Sequence, residues 1–510
     1  MIRFSSWKRF AVFCLLWALW PVTSSAAPSS KTLVVKGGTF WTITGKVLKN
    51  GMLLIKNGRI VAVGQKLAIP KGAKVLNTRG MHITPGWIDT HSHMGVYPVP
   101  HVSAHSDGNE ATRKTTPYVW VEHSVWPQDP AFARALQGGT TTVQILPGSA
   151  NLIGGRSVVV KLLPRRSVLA MKFPGAPHGL KMACGENPKR VYRRRGLQTR
   201  MGSMAGYRAA FQKAVEYKRR WDRYARRLKK WRAKECRKQA KKAAKARKLR
   251  KAKARPTTRP SGKKTTIVAA KATRAGTKAA KKPVSKHICK VTKKPPFSPP
   301  SFSLGMDTLK RVIENRILVH IHCYRADEMI WMMKLAKDFG FRIRSFHHAT
   351  SAYKIRDLLT KANIGASIWA DWWGFKMEAY DAIQENAAMM HSAGGRAIIH
   401  SDSSIGVQRM HIEAAKAYYR GKAMGLKISV HEAMKWITIN PAWALGIDKL
   451  VGSLDAGKMA DIAIWNRHPF SVYARTRWVI VNGKVAYDRK KGVRKSDFEL
   501  GQNLGAGGAR

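Results

Sequence analysis

The run Thr84-Pro-Gly-Trp-Ile-Asp-Thr-His91-Ser-His93 closes an apolar segment with two imidazoles spaced two residues apart. In a β-strand, residues i and i+2 point to the same face. At the end of the first strand of a barrel, His91 and His93 would both aim at the mouth, where active sites of that fold sit. Two converging imidazoles suit a borderline metal such as zinc. Alone the pattern is weak, because histidines also serve as ordinary polar side chains.

Working outward, the same signature recurs. HIHCYRADE offers His320 and His322, SFHHAT offers His347 and His348, and AIIHSDSS offers His400 and Asp402, each at the end of a β-rich run. Between these runs lie helix patterns such as ADEMIWMMKLAKDFG and MEAYDAIQENAAMMHSAG. Such βα alternation gives a parallel barrel or an open doubly wound sheet. Short strands with turns fill 31–80 and return near the chain's end in ADIAIWN and RWVIVNGKVAYD. The two ends are therefore expected to pair into one small β domain, with the middle as an insertion.

The charge is lopsided: Lys and Arg total 94 against 28 Asp and Glu, a formal net of +66. A field of that sign attracts polyanions. Most of the excess sits between Lys189 and Pro300, with roughly forty basic residues and three acids, Glu216, Asp222 and Glu235. Tyr207, Phe211, Ala214, Trp221, Tyr224, Leu228 and Trp231 recur at helical spacing, which predicts an amphipathic helix over 206–236. Residues 237–300 carry Lys, Ala, Thr and Pro with little to bury, and are expected to be disordered. They hold no recognisable module for reading nucleic acid, so specific nucleic-acid binding is not expected. An anionic polymer or membrane surface is the expected partner of this piece.

At the start, Arg3, Lys8 and Arg9 precede the apolar run Phe10–Trp20, and Ser24-Ser25-Ala26 supplies small residues. This reads as a signal peptide, 1–26, directing the chain to the periplasm or the exterior. Cys184, Cys236, Cys289 and Cys323 form no CxxC pair, and their spacing leaves open whether disulfides form.

TPGWIDTHSH, HIHCYRAD, HHAT, HSDS and the closing NPAWALGI and VGSLDAGKMADIAIW resemble the amidohydrolase superfamily. HSDGNEAT, GGTTTVQILPGSANLIGG and GLKMACGENPKRVY resemble its imidazolonepropionase-like group. The resemblance covers about 31–235 and 300–490. It implies a (β/α)8 TIM-type barrel beside a small β-sandwich built from both chain ends, with the basic stretch as a helical and disordered insertion. The implied division is barrel at 81–205 and 301–450, sandwich at 31–80 and 451–490, and a flexible tail at 491–510. One or two divalent metal ions, zinc being expected, are implied on His91, His93, His322, His348 and Asp402. His320, His347 and His400 would stand beside the ligands. A carboxylated lysine on the fourth strand bridges two ions in the family; Lys181 is the candidate, Glu186 the rival and Lys161 a weaker third. The implied reaction is hydrolysis of a C–N bond in a small-molecule or peptide substrate, with Asp402 as proton carrier. The opposing expectation is an exported basic scaffold whose barrel is degenerate. His105, Asp107, Asn109 and Glu110 on the loop after the first strand, and Trp369, Trp372 and Trp373, either meet substrate or simply pack.

Overall fold

Eight strands lie side by side in the order of the chain: Trp87–Ser92, Thr140–Ile145, Ile153–Lys161, Gly179–Ala183, Leu318–Cys323, Ile343–His348, Gly365–Ile368 and Ala397–Ile399. This is the computed structural model of the chain, which describes residues 32–163, 165–253, 289 and 291–493. The expected leader 1–26, most of the basic insertion and the tail beyond 493 lie outside the described residues. The eight strands are almost wholly buried, as the apolar runs require when helices cover a barrel from outside. The third strand runs antiparallel to both its neighbours, whereas the other pairings are parallel.

The seam between the last and first strands is drawn together by other bonds. The Asp402 amide donates to the His91 carbonyl at 3.0 Å. The Asp89 carboxylate accepts from the His91 amide at 3.0 Å and the Ser401 amide at 3.1 Å. The barrel of an α/β TIM-type fold is thus nearly closed, with its first and eighth strands meeting at the end that carries His91 and Asp402.

The chain ends build two further sheets. Thr32–Lys36, Met52–Lys56, Arg59–Gly64 and Lys74–Asn77 form one. Ile462–Trp465, Thr476–Val481, Lys484–Asp488, Gly492–Val493, Thr39–Phe40 and His82–Pro85 form the other. They share a core of Leu33, Val35, Phe40, Leu53, Ile83, Ile462 and Ile480. His82–Pro85, placed by sequence in the barrel, belongs to this sandwich: it pairs with Ile462–Trp465, and Gly86 carries the chain on into the barrel.

The amphipathic stretch is one helix, Arg200–Lys253. Ser203, Tyr207, Ala210, Phe211, Ala214 and Tyr217 bury one stripe, and Phe211 stacks on Phe341 at 4.4 Å. From Lys218 to Arg250 its residues are partly or fully exposed. The expected boundary at 236 is therefore corrected: residues 237–253 continue the helix, because Lys, Arg and Ala favour it without a buried face. Cys236 and Cys289 are disulfide-bonded, and Phe297 packs on Tyr224 and Arg227, so the returning chain lies against the helix. Among the described residues no helix is long and apolar enough to cross a membrane.

Candidate metal centre

The first strand delivers His91 and His93 to the barrel mouth. Their Nε2 atoms are 3.3 Å apart, and each lies close to Asp402 Oδ1, at 3.4 and 3.3 Å. Lys181, buried on the fourth strand, puts its Nζ 3.1 Å from His91 Nε2. His348 Nδ1 is 3.9 Å from Asp402 Oδ2, and the His322 ring packs edge-on to His348 with centroids 4.5 Å apart. The structure therefore brings all six sequence-derived candidates into one cluster.

Two features aim these side chains. His348 and Asp402 adopt left-handed backbone angles, φ 71° and 48°. Non-glycine residues hold that region at a cost of about 1–3 kcal/mol, and such residues gather at functional sites. Second, outer nitrogens are tied down. His93 Nδ1 donates to the Leu146 carbonyl at 2.9 Å. His91 Nδ1 meets His347 Nδ1 at 3.0 Å, and His347 Nε2 meets His320 Nδ1 at 3.0 Å. His320 and His347 thus stand behind the cluster and orient it.

The donor set fits a divalent metal. His322 Nε2 and His348 Nδ1 are buried without a hydrogen-bond partner. Such orphans are costly unless something satisfies them, and a cation does. Burial above all holds His91, His322 and His348 far below the usual imidazole range, so their rings are neutral and their lone pairs free to bind. Burial pushes Asp402 up, but the His93 hydrogen bond and the charges of His93, His400 and Lys181 outweigh it and keep it ionised. Burial brings the Lys181 amine down to about 7. Two groups have ligand atoms within 4.8 Å of one another: His91, His93 and Asp402, and His91, His348 and His400. His400, expected to stand aside, is thus drawn into the cluster.

The rivals of Lys181 fall elsewhere. Lys161 points out of the site into an ion pair with Asp461 at 2.8 Å. Glu186 begins the helix Glu186–Tyr192 at the rim, 37% exposed, with Lys376 Nζ at 3.6 Å.

A model of the amidohydrolase family matches residues 306–487. An amidohydrolase from Thermotoga maritima MSB8 superposes with a TM-score of 0.68 at 28% identity, covering 90% of this chain and all of that one. In sequence and in fold the chain is similar to amidohydrolases. Amidohydrolase tasK of Hapsidospora irregularis is 27% identical over 493 residues, 93% of this chain but 42% of that relative. An N-acyl-D-aspartate deacylase of Alcaligenes xylosoxydans xylosoxydans is 34% identical over 79 residues, 16% of each chain. The chain therefore spans about two fifths of the length of the first of these curated relatives and about a sixth of the second.

Tyr324, Tyr97 and Asp89 escaped sequence reasoning, whereas Trp369 and Asn109 were among its candidates. Tyr324 stacks on His348 at 4.9 Å, and Trp369 packs on it at 4.3 Å. Tyr97 lies edge-on to His93 at 5.6 Å and is bonded by Asn109. Asp89 shares the strand period with His91 and His93, a signal that was present in the opening run. Of the other loop candidates, the Asp107 amide bonds the Val96 carbonyl within the loop, Glu110 accepts from the Thr112 amide and, through its carbonyl, from Asn151 at 2.8 Å, and His105 packs on Trp126 at 4.9 Å.

Proposed function

We propose that this chain hydrolyses an amide, peptide or cyclic-amide C–N bond, using one or two divalent ions, zinc by preference. His91, His93, His322, His348 and Asp402 would hold the metal, and Lys181, carboxylated, would bridge a pair. The observation that carries this is the pair of unpartnered ring nitrogens on His348, 3.9 Å from the Asp402 carboxylate, and on His322, whose ring packs on His348 at 4.5 Å. Nitrogen and oxygen donors of this kind suit zinc. A bound divalent ion lowers the pKa of water and polarises a carbonyl. Asp402 Oδ takes the proton of the attacking water and returns it to the departing nitrogen, the role an ionised acceptor beside the reacting centre can fill. Burial keeps the rings of His91 and His322 neutral, so that their nitrogens can serve as donors. Lys181 supports the bridge by position: it is buried among the histidines and makes no ion pair within 4 Å among the described residues. The amidohydrolase and the deacylase among the similar proteins support a C–N bond as target. The gathered cluster disfavours a degenerate scaffold.

The test is metal analysis of the purified chain with a hydrolysis screen of dipeptides and cyclic amides. One or two equivalents of metal are expected, with turnover lost on chelation and restored by zinc. A chain that binds no divalent metal and hydrolyses none of them overturns the reading.

The basic helix supports a second role, in an exported protein that lodges on an anionic polymer or membrane surface. Arg200–Lys253 holds 23 Lys and Arg against 3 acids, and from Lys218 to Arg250 it is partly or fully exposed. Residues 237–288 hold 20 Lys and Arg and no Asp or Glu. Contact of this kind is electrostatic and weakens as salt shortens the Debye length.

A further inference from the structure

Beneath the loop that follows the seventh barrel strand lies a cavity of about 250 Å³. Thr350, Trp369, Trp372, Trp373, Ala382 and Ile383 supply much of its wall. Its acid, Asp371, is neutralised by Lys416 at 2.7 Å. Trp369 stands between the cavity and the histidines. Its ring packs on His348 at 4.3 Å, and its Nε1 donates to the Ser401 carbonyl at 3.0 Å. Trp372 stacks on Trp369 at 4.9 Å, with planes 14° apart. Phe375 joins this pair to Tyr324, 5.8 Å from Trp369 and 6.2 Å from Tyr324. One aromatic wall thus runs from His348 outward to Trp372 and Phe375, which are 39% and 53% exposed.

The wall is anchored. Trp373 Nε1 donates to the Tyr380 carbonyl at 2.7 Å. The buried Glu378 carboxylate accepts from the Glu186 amide at 2.9 Å, from Arg200 at 2.6 Å and from Lys376 at 3.3 Å. Loop seven is thereby fastened to the loop after the fourth strand and to the root of the long helix. Exposed apolar patches at a cleft mark ligand sites more often than chance. An apolar cavity of ~150 Å³ accepts benzene, so this one has room for a phenyl or indole ring.

We propose that this cavity and wall receive an apolar, preferably aromatic, substituent of the substrate, one side chain away from the bond broken at the histidine cluster. The place in a reaction rests on the hydrolase reading above; the preference for an aromatic group does not. The experiment is calorimetric binding to the whole chain of N-acetylphenylalaninamide and N-acetylglycinamide, with turnover of both measured separately. At least tenfold tighter binding of the phenylalanine compound is expected. Ala382→Phe, which fills the cavity, should bring the two affinities within about twofold. Trp372→Ala, at a partly exposed position with little bearing on folding, should weaken the phenylalanine compound and leave the glycine compound's affinity as it was. Equal binding of both compounds, no binding of the phenylalanine compound at millimolar concentration, or a preference untouched in both variants overturns the proposal. If the preference stands while neither compound is hydrolysed, the pocket survives and the hydrolase reading fails for these bonds.

Discussion

Asp402 meets three of the proposed ligands through its two oxygens, and its left-handed backbone turns it inward. Asp402→Asn keeps the shape but cannot accept a proton, and should lower turnover by about 10²–10⁴-fold. Metal content, measured on the same preparation, should fall by less than half; full activity in the variant would remove the proton shuttle. At this scale the cluster was legible wherever a residue's direction follows from strand period alone, as for His91 and His93. For Asp402, and for His322 and His348 among the paired histidines, the expectation rested on family resemblance and not on strand period. His400 was not, because its approach depends on the φ 71° turn at His348, whose amide donates to His400 Nε2 at 3.3 Å. No sequence period announces such a turn.

At the scale of elements, Cys184 and Cys323 tie the ends of the fourth and fifth strands, which carry Lys181 and His322. They are 139 residues apart in sequence, with the whole basic insertion between them. The bond constrains the unfolded chain, and replacing both cysteines by serine should cost about 2–5 kcal/mol, read from urea unfolding; an unchanged midpoint would remove that role. The cysteine spacing gave no hint of this pairing, since contact depends on neighbouring strands brought together by the barrel. The long helix was half legible: its buried stripe predicted 206–236, but its continuation rests on propensity, which a stripe does not measure. The third strand's direction was illegible too, because IGGRSVVVK reads equally well either way up.

At the scale of the whole molecule, barrel and sandwich are locked by a buried ion pair. Lys161 and Asp461 are each 3% exposed, and Asn482 also accepts from the lysine. Asp461→Ala leaves a buried unpaired ammonium and should cost about 3–5 kcal/mol, whereas Lys161→Met with Asp461→Leu should recover most of it. Denaturant unfolding of both variants checks this: equal stability of single and double variants would show that charge is not what matters there. The basic arm makes a separate prediction. Replacing 237–288 by a short Gly/Ser linker should leave folding and turnover intact and lower the salt needed for elution from an anionic resin. Loss of folding would make the arm part of the scaffold.

The reversed third strand has a consequence for anyone redesigning this chain. A strand that runs downward exchanges the ends of its connections. Residues 146–152 become a short hairpin at the rim, while 162–178 are carried to the far side, where Leu162 bonds the carbonyl of Thr141 at the base of the second strand. A combinatorial library aimed at new substrates should therefore diversify 146–152 together with 369–380. Variation spent on 162–178 would alter only the floor.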